Sequence, residues 1–175
     1  MSELVVRAST EADMARCAEI YAHHVLHGTA SFEVDPPDLA EMQRRRAAVL
    51  EIGLPHLVAE RAGRVVGYAY AGNWRPRLAY RFSVEDSIYI DKDAVGQGVG
   101  KALLPVLIDR CTALGKRQMV AVIGDSAQLP SIRLHAACGF EMVGTLKNIG
   151  FKFGRWLDSV LMQRPLGDGA QQPPA

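Results

Sequence analysis

The sequence predicts a single α/β domain, a mixed sandwich of sheet and helices. Three observations carry this. Segments with strand-like and helix-like patterning follow one another as β-α-α-β-β-β-α-β-α-β-β. A glycine-rich turn, Gly96 to Gly100, joins a strand to a helix where a right-handed βαβ crossover would begin. The chain has 175 residues, the size of one domain. A domain near this length hides roughly 70% of its unfolded surface without disulfides or metals.

Each element has its own signal. Leu4 to Ser9 reads as a short buried strand. Ser9 and Thr10 offer a helix N-cap, and Glu11 and Asp13 place carboxylates in the first turn, where the helix dipole favours them. Ala12, Ala15, Ile20 and Val25 form an imperfect apolar stripe for a helix reaching about His27. After a loop with Gly28 and Pro36-Pro37, Leu39 to Leu50 reads as a second helix, with Arg44-Arg45-Arg46 on its wet side. His56 to Glu60 and Val65 to Ala71 form a hairpin across Ala62-Gly63. Val84 to Ile90 is a strand, Gly98 to Ala113 a helix, Gln118 to Ile123 a strand rich in β-branched residues, and Pro130 to Ala137 a helix ended by Gly139. Phe140 to Thr145 and Leu157 to Gln163 close the pattern. The domain spans 1–166, and residues 167–175, polar and proline-rich, read as a flexible tail.

Composition narrows the class. The chain is 49% hydrophobic and 22% charged, which is globular. Twenty Lys and Arg against nineteen Asp and Glu leave a net charge of +1, without the basic excess of a generic nucleic-acid binder. No apolar run approaches a membrane span, and the N-terminus lacks the pattern of a secretory signal. Cys17, Cys111 and Cys138 are isolated and odd in number, so a reducing cytoplasm is expected.

The turn Val95-Gly96-Gln97-Gly98-Val99-Gly100-Lys101 has the composition of an anion cradle: glycines allow close backbone approach, and a helix start presents unpaired N–H groups. Spacing alone leaves open a turn with no ligand. A dinucleotide fold and a P-loop are disfavoured. The turn lies mid-chain, no Gly-Lys-Ser/Thr follows, and no acidic residue ends the next strand.

At the level of whole segments, SIYIDKDAVGQGVGKALL resembles motif A of the GNAT superfamily of acetyl-CoA-dependent N-acetyltransferases. NWRPRLAYRFSVEDSIYI and SIRLHAACGFEMVGTLKNIGFKFGRWLDSVLMQ resemble the substrate loop and C-terminal half of its phosphinothricin and methionine sulfoximine acetyltransferase branch. The resemblance covers about residues 4 to 166. It implies a mostly antiparallel central sheet, splayed at one strand pair and flanked by helices on both faces. It also implies acetyl-CoA as co-substrate, no metal, a small amino-acid-like acceptor and a homodimer. By the same resemblance, the main chain of Ile88, Tyr89 and Ile90 holds the pantetheine arm. Val95, Gly96, Gln97, Gly98, Val99, Gly100 and Lys101 hold the pyrophosphate. Val95 stands where the family usually has Arg or Gln, and Gln128 where an Asn usually contacts the cofactor.

Acetyl transfer to an amine needs a base for the amine, polarisation of the thioester carbonyl and a proton for the departing thiolate. Glu85 lies in the strand run beside the cofactor strand. Its residues alone leave open a solvent-facing glutamate; the resemblance to Val-Glu-x-Ser-x-Tyr implies a general base acting through water. Strand alternation sends Asp86 to the opposite face. The resemblance marks His135 as the thiolate's proton donor, with Tyr89 as the alternative, and a strand N–H near Ile90 polarises the carbonyl. A packed helix histidine remains the other reading of His135. Trp74, Arg75, Arg77, Tyr80 and Arg81 read either as a solvated basic loop or as an anion clamp with aromatic walls, and the resemblance favours the clamp. Phe32 and Glu33 resemble the family's opposite wall, which implies that Glu33 faces the substrate ammonium. His23, His24 and His27 read as surface or interface residues rather than metal ligands, because no carboxylate completes a site. Arg155, Trp156 and Asp158 match the branch's closing motif and serve the dimer or the pocket floor. Cys138 reads as a packed thiol rather than a nucleophile, with direct transfer in a ternary complex as the family's default.

Overall fold

In the computed structural model, which describes residues 2–174, the strands are β1 (Leu4–Ala8), β2 (His56–Arg61), β3 (Arg64–Asn73), β4 (Ser83–Ile90), β5 (Gln118–Gly124), β6 (Glu141–Lys152) and β7 (Arg155–Pro165). The helices are α1 (Met14–His27), α2 (Leu39–Glu51), α3 (Val99–Ala113) and α4 (Leu129–Ala137). Seven strands make one sheet in the order β1-β2-β3-β4-β5-β7-β6. Neighbours run antiparallel except β4 and β5, the two strands joined by the α3 crossover.

The parallel pair is short. Ser83 to Asp86 match Gln118 to Ala121, and beyond Asp86 the two strands no longer pair. β4 continues to Ile90 against β3, so its other edge lies open from Ser87 onward. This splay creates the cleft described below.

Helices cover both faces. α1 and α2 pack Met14, Cys17, Ile20, Tyr21, Val25 and Met42 against Val58, Val65 and Tyr68. On the other face Leu103, Leu104, Leu107 and Ile108 of α3 pack on Leu57, Ala69, Val84 and Met119. The expected layers are therefore present, with local corrections. The buried stripe of α1 starts at Met14, while Ala12 and Ala15 are exposed, because the chain opens with a 3-10 turn over Glu11–Asp13 before the α-helix begins. The arginine triplet of α2 is not uniformly wet: Arg45 reaches Glu33, and Arg46 donates to the Ser9 hydroxyl and carbonyl, each at 2.7 Å.

The largest departure is the final hairpin. β6 runs on to Lys152 and β7 begins at Arg155. Phe153 and Gly154, with φ of 52° and 73°, form a two-residue turn of the twist that matches paired strands. Asn148 and Gly150 disguise this hairpin in the sequence, and β6 absorbs them through register shifts between Leu146 and Gly150. After β7, Leu166 is buried, the Gly169 N–H donates to the Leu166 carbonyl, and Asp168 pairs with Arg117 at 3.4 Å. Met1 and Ala175 lie outside the described residues.

Candidate active site

Two adjoining cavities, the inner and outer halves of one cleft, follow the splay of β4 and β5. Its inner half, about 260 Å³, is bounded by Glu85 to Tyr89 of β4, Ala121 to Gly124 of β5, Phe32 from the α1–α2 loop, and His135 of α4. Its outer half, about 470 Å³, runs past Ile88 and Ile90 to Val95, Gly96, Gly98, Val99, Gly100 and Lys101. Ala30, Ile88, Gln128 and Ser131 border both halves.

The outer half suits an extended ligand ending in phosphates. Gly96 and Gly98 take φ of 78° and 83°, a conformation glycine adopts without penalty. The first N–H groups of α3 have no intrahelical acceptor, and no side chain caps them. Gly100 lies close under α4: a Cβ there would stand 2.7 Å from Leu134 Cδ2, so that side chain would have to shift. These features fit a diphosphate at the turn, with the open β4 edge free to pair with an amide-bearing arm. Gln97 does not line the cleft. Its side chain accepts from Arg61 at 2.6 Å and donates to the Asp93 carbonyl, bracing the turn from outside. Gln128 spends its amide N–H on Thr29 Oγ1 at 3.0 Å, so part of the amide expected to face a cofactor holds the α1–α2 loop instead.

His24 was not among the expected site residues. It is half-buried on the outer half of the cleft, and its Nε2 donates to the Ile90 carbonyl at 2.8 Å. Burial pulls its pKa below 6.5 and favours the neutral ring. The helical spacing of His23, His24 and His27 carried no hint of this, because β4 is distant in sequence. Among the described residues no group of three His, Cys, Asp or Glu side chains is placed to hold a metal ion.

In the inner half Glu85 and Asp86 point to opposite faces, as strand alternation requires. Burial raises the Glu85 pKa above 4.5, and the neighbouring Asp86 charge adds to the rise, while Arg75 opposes it. Asp86 is buried and bonded to His135 Nε2 at 3.0 Å; His135 Nδ1 meets the Ser131 carbonyl at 2.8 Å. Both ring nitrogens of His135 are thus committed within the protein. Asp86 holds its pKa above 6.5 against the opposing effect of burial. Tyr89, on the Glu85 face, stacks edge-on against Tyr21 at 4.8 Å, and burial drives its phenol well above 10.

Two expected substrate walls are placed differently. Glu33 is not free for an ammonium: Arg45 meets both its oxygens at 2.7 and 3.2 Å, and the Tyr21 hydroxyl donates at 2.8 Å. It braces the loop that carries Phe32. The segment with Trp74, Arg75, Arg77, Tyr80 and Arg81 does not line the cleft. Arg75 lies over the Trp74 ring at 4.8 Å and Arg81 over Phe82 at 4.4 Å.

Of the closing motif, Arg155 donates to Asp125 at 2.7 Å, and Asp158 accepts from Ser126, Lys147 and the Asn148 N–H, fixing the β5–α4 turn to the last hairpin. Trp156 is exposed beside Phe151. Cys138 is half-buried, and burial raises its thiol pKa, which disfavours a thiolate.

Comparison with known proteins agrees with this geometry. Residues 6–161 match the family model of the acetyltransferase (GNAT) domain. The chain is 58% identical to a phosphinothricin N-acetyltransferase of Alcaligenes faecalis over 94% of this chain and 83% of the relative. It is 40% identical to an L-methionine sulfoximine/L-methionine sulfone acetyltransferase of Salmonella typhimurium, over 95% and 97% of the two chains. The crystal structure of a GNAT superfamily phosphinothricin acetyltransferase from Sinorhizobium meliloti, in complex with acetyl-CoA, superposes with a TM-score of 0.95 at 50% identity. It covers 100% of this chain and 94% of that one. The chain belongs to the GNAT family of acetyltransferases.

Proposed function

We propose that the protein transfers acetyl from acetyl-CoA to the α-amine of a small amino acid of the phosphinothricin, methionine sulfoximine or methionine sulfone type. The observation that carries this reading is the adjacency of the two cavities: one holds Glu85, the other the glycine turn, and Ala30, Ile88, Gln128 and Ser131 border both where β4 leaves β5. The coenzyme's diphosphate sits on the N–H groups of Val99 to Lys101, and its pantetheine arm runs along the open edge of β4. The acceptor amine enters the inner half. Glu85, with its raised pKa, takes a proton from the ammonium through a water. The free nitrogen attacks the thioester carbonyl, whose oxygen is stabilised by a strand N–H near Ile90. The C–S bond then breaks, the nitrogen gives up its second proton to water, and the sulfur takes up a proton. Because both nitrogens of His135 are occupied in the resting protein, donation from this ring requires its Nε2 to exchange Asp86 for the sulfur.

The Arg75, Arg77 and Arg81 loop holds the acceptor's carboxylate or phosphinate in this reading, moving from its stacked position onto the cleft mouth. A second reading has support of its own. Among the described residues, the inner half is lined by the Glu85 carboxylate and by no lysine or arginine, which suits a more cationic amine. Release of free thiol from acetyl-CoA, measured with amino-acid analogues, polyamines and peptides, separates the two. Turnover with polyamines but not amino acids overturns the first reading. Binding of the coenzyme without turnover of any amine makes the protein a CoA-binding module.

We also infer a homodimer. Met142, Val143, Leu146, Ile149, Phe151, Phe153 and Trp156 leave the last hairpin with exposed apolar side chains at the edge of the sheet. A monomeric mass by light scattering at micromolar concentration contradicts this. The three free cysteines support a cytoplasmic location, testable by cell fractionation. No helix among the described residues is long and apolar enough to cross a membrane.

A further inference from the structure

We propose that Lys152 is the positioning residue of the acceptor half of the cleft. Its ammonium ties the α1–α2 loop in place, so that affinity for the amine, and not for acetyl-CoA, depends on it. This rests on the acetyltransferase reading of the cleft.

Lys152 is the last residue of β6, immediately before the tight turn, and only 4% of it is exposed. Nζ donates to the Gly28 carbonyl at 2.9 Å and to the Ser31 carbonyl at 2.8 Å, and it lies 4.9 Å from the centre of the Phe153 ring. Among the described residues no carboxylate forms an ion pair with it, although the charge of Glu33 favours the ammonium. Burial acts against the charge and lowers the pKa below 10.5. A buried charge without a counter-ion is costly. Here the ammonium is directed at two backbone carbonyls of a loop without regular structure.

That loop supplies Ser31 and Phe32 to the inner half alone, while Ala30 borders both halves. The other half of the device lies two residues earlier on β6. Gly150 shares a strand face with Lys152, and its missing side chain makes room for the Phe32 ring. One face of one strand therefore both seats the ring and tethers the loop that carries it. The Gln128–Thr29 bond secures the same loop, but from the side the coenzyme shares.

The test is Lys152→Met, which keeps the stem and removes the donors. The expected result is an acceptor KM raised about tenfold or more, kcat within about threefold, and an unchanged acetyl-CoA Kd. Loop amides 28–33 are expected to exchange hydrogen faster than in the wild type. Lys152→Gln, retaining donors without charge, recovers part of the KM and carries the same comparison should the methionine variant fail to fold. An unchanged KM, or equal weakening of acceptor and coenzyme, overturns the proposal. If the wild-type protein acetylates no amine, the functional reading fails. The exchange rates of the loop in wild type and variant then still decide whether Lys152 holds it.

Discussion

The Phe32 ring lies so close over Gly150 that a Cβ there would stand 2.4 Å from Cε2 and 2.6 Å from Cδ2. Gly124 sits against the same ring, where a Cβ would be 2.8 Å from Cε1 and 2.3 Å from the Thr29 carbonyl oxygen. Two glycines from different strands thus form a slot for one aromatic wall of the cleft. Gly150→Ala is expected to displace the ring, raise the acceptor KM and cost about 1–3 kcal/mol of stability. Gly72→Ala, with nothing within 4 Å of its Cβ, is the control and should cost less than about 1 kcal/mol. Thermal unfolding and KM measured together check both; equal behaviour of the two variants contradicts the slot.

Glu85 should define the acid limb of the pH–rate profile. Its carboxyl is held above 4.5 by burial and by Asp86, so kcat/KM is expected to fall with decreasing pH at a pH above the usual glutamate value. Glu85→Gln should lower turnover by about 10²–10⁴-fold and remove that limb. Steady-state rates from pH 5 to 9 read this directly, and a variant that keeps the wild-type limb excludes Glu85 as the base.

The Asp86–His135 pair should stabilise the fold with a definite pH signature. The His135 pKa in the folded protein lies above 6.5, raised by Asp86. Its contribution is therefore fully present below 6.5 and is lost as pH rises through the folded value. Asp86→Asn leaves the imidazole without its carboxylate and is expected to cost about 3–5 kcal/mol near neutral pH. The loss should shrink at alkaline pH. Urea unfolding at a series of pH values tests this; a pH-independent loss would show that the pair carries no charge.

His56 should act with the opposite sign. It is buried beside the rings of Tyr68 and Tyr70, its Nδ1 has no partner among the described residues, and burial pushes its pKa down to about 4. The unfolded chain takes up a proton near 6.5 while the folded one does not. Stability should fall as pH drops from 6.5 to about 4, by about 3 kcal/mol over the full interval. His56→Phe should flatten this part of the stability curve in chemical denaturation at pH 7 and pH 5. An unaltered slope assigns the acid sensitivity to other groups.

Much of the site was legible because its signals are local. The opposition of Glu85 and Asp86 follows from the two-residue period of a strand, and the glycine turn follows from conformations that other residues resist. The final hairpin was not legible beyond Thr145, because a register shift lets Asn148 and Gly150 sit inside a strand they would ordinarily interrupt. Arg45 and His24 were misplaced for a related reason. Helical periodicity says which face each residue occupies, but not that Glu33 or the Ile90 carbonyl waits there.

The sequence by itself determined the order of elements, the family and the residues of the glycine turn, since each depends on neighbours within a few positions. Tertiary structure alone decided how the cleft is walled. Lys152 meets Ser31 across 121 positions, and it does so because β6 lies at the edge of the sheet beyond β7 and its turn reaches the α1–α2 loop. It also decided where β4 and β5 part. That separation depends on where interstrand hydrogen bonding stops, a property of two strands together that neither strand's residues encode alone.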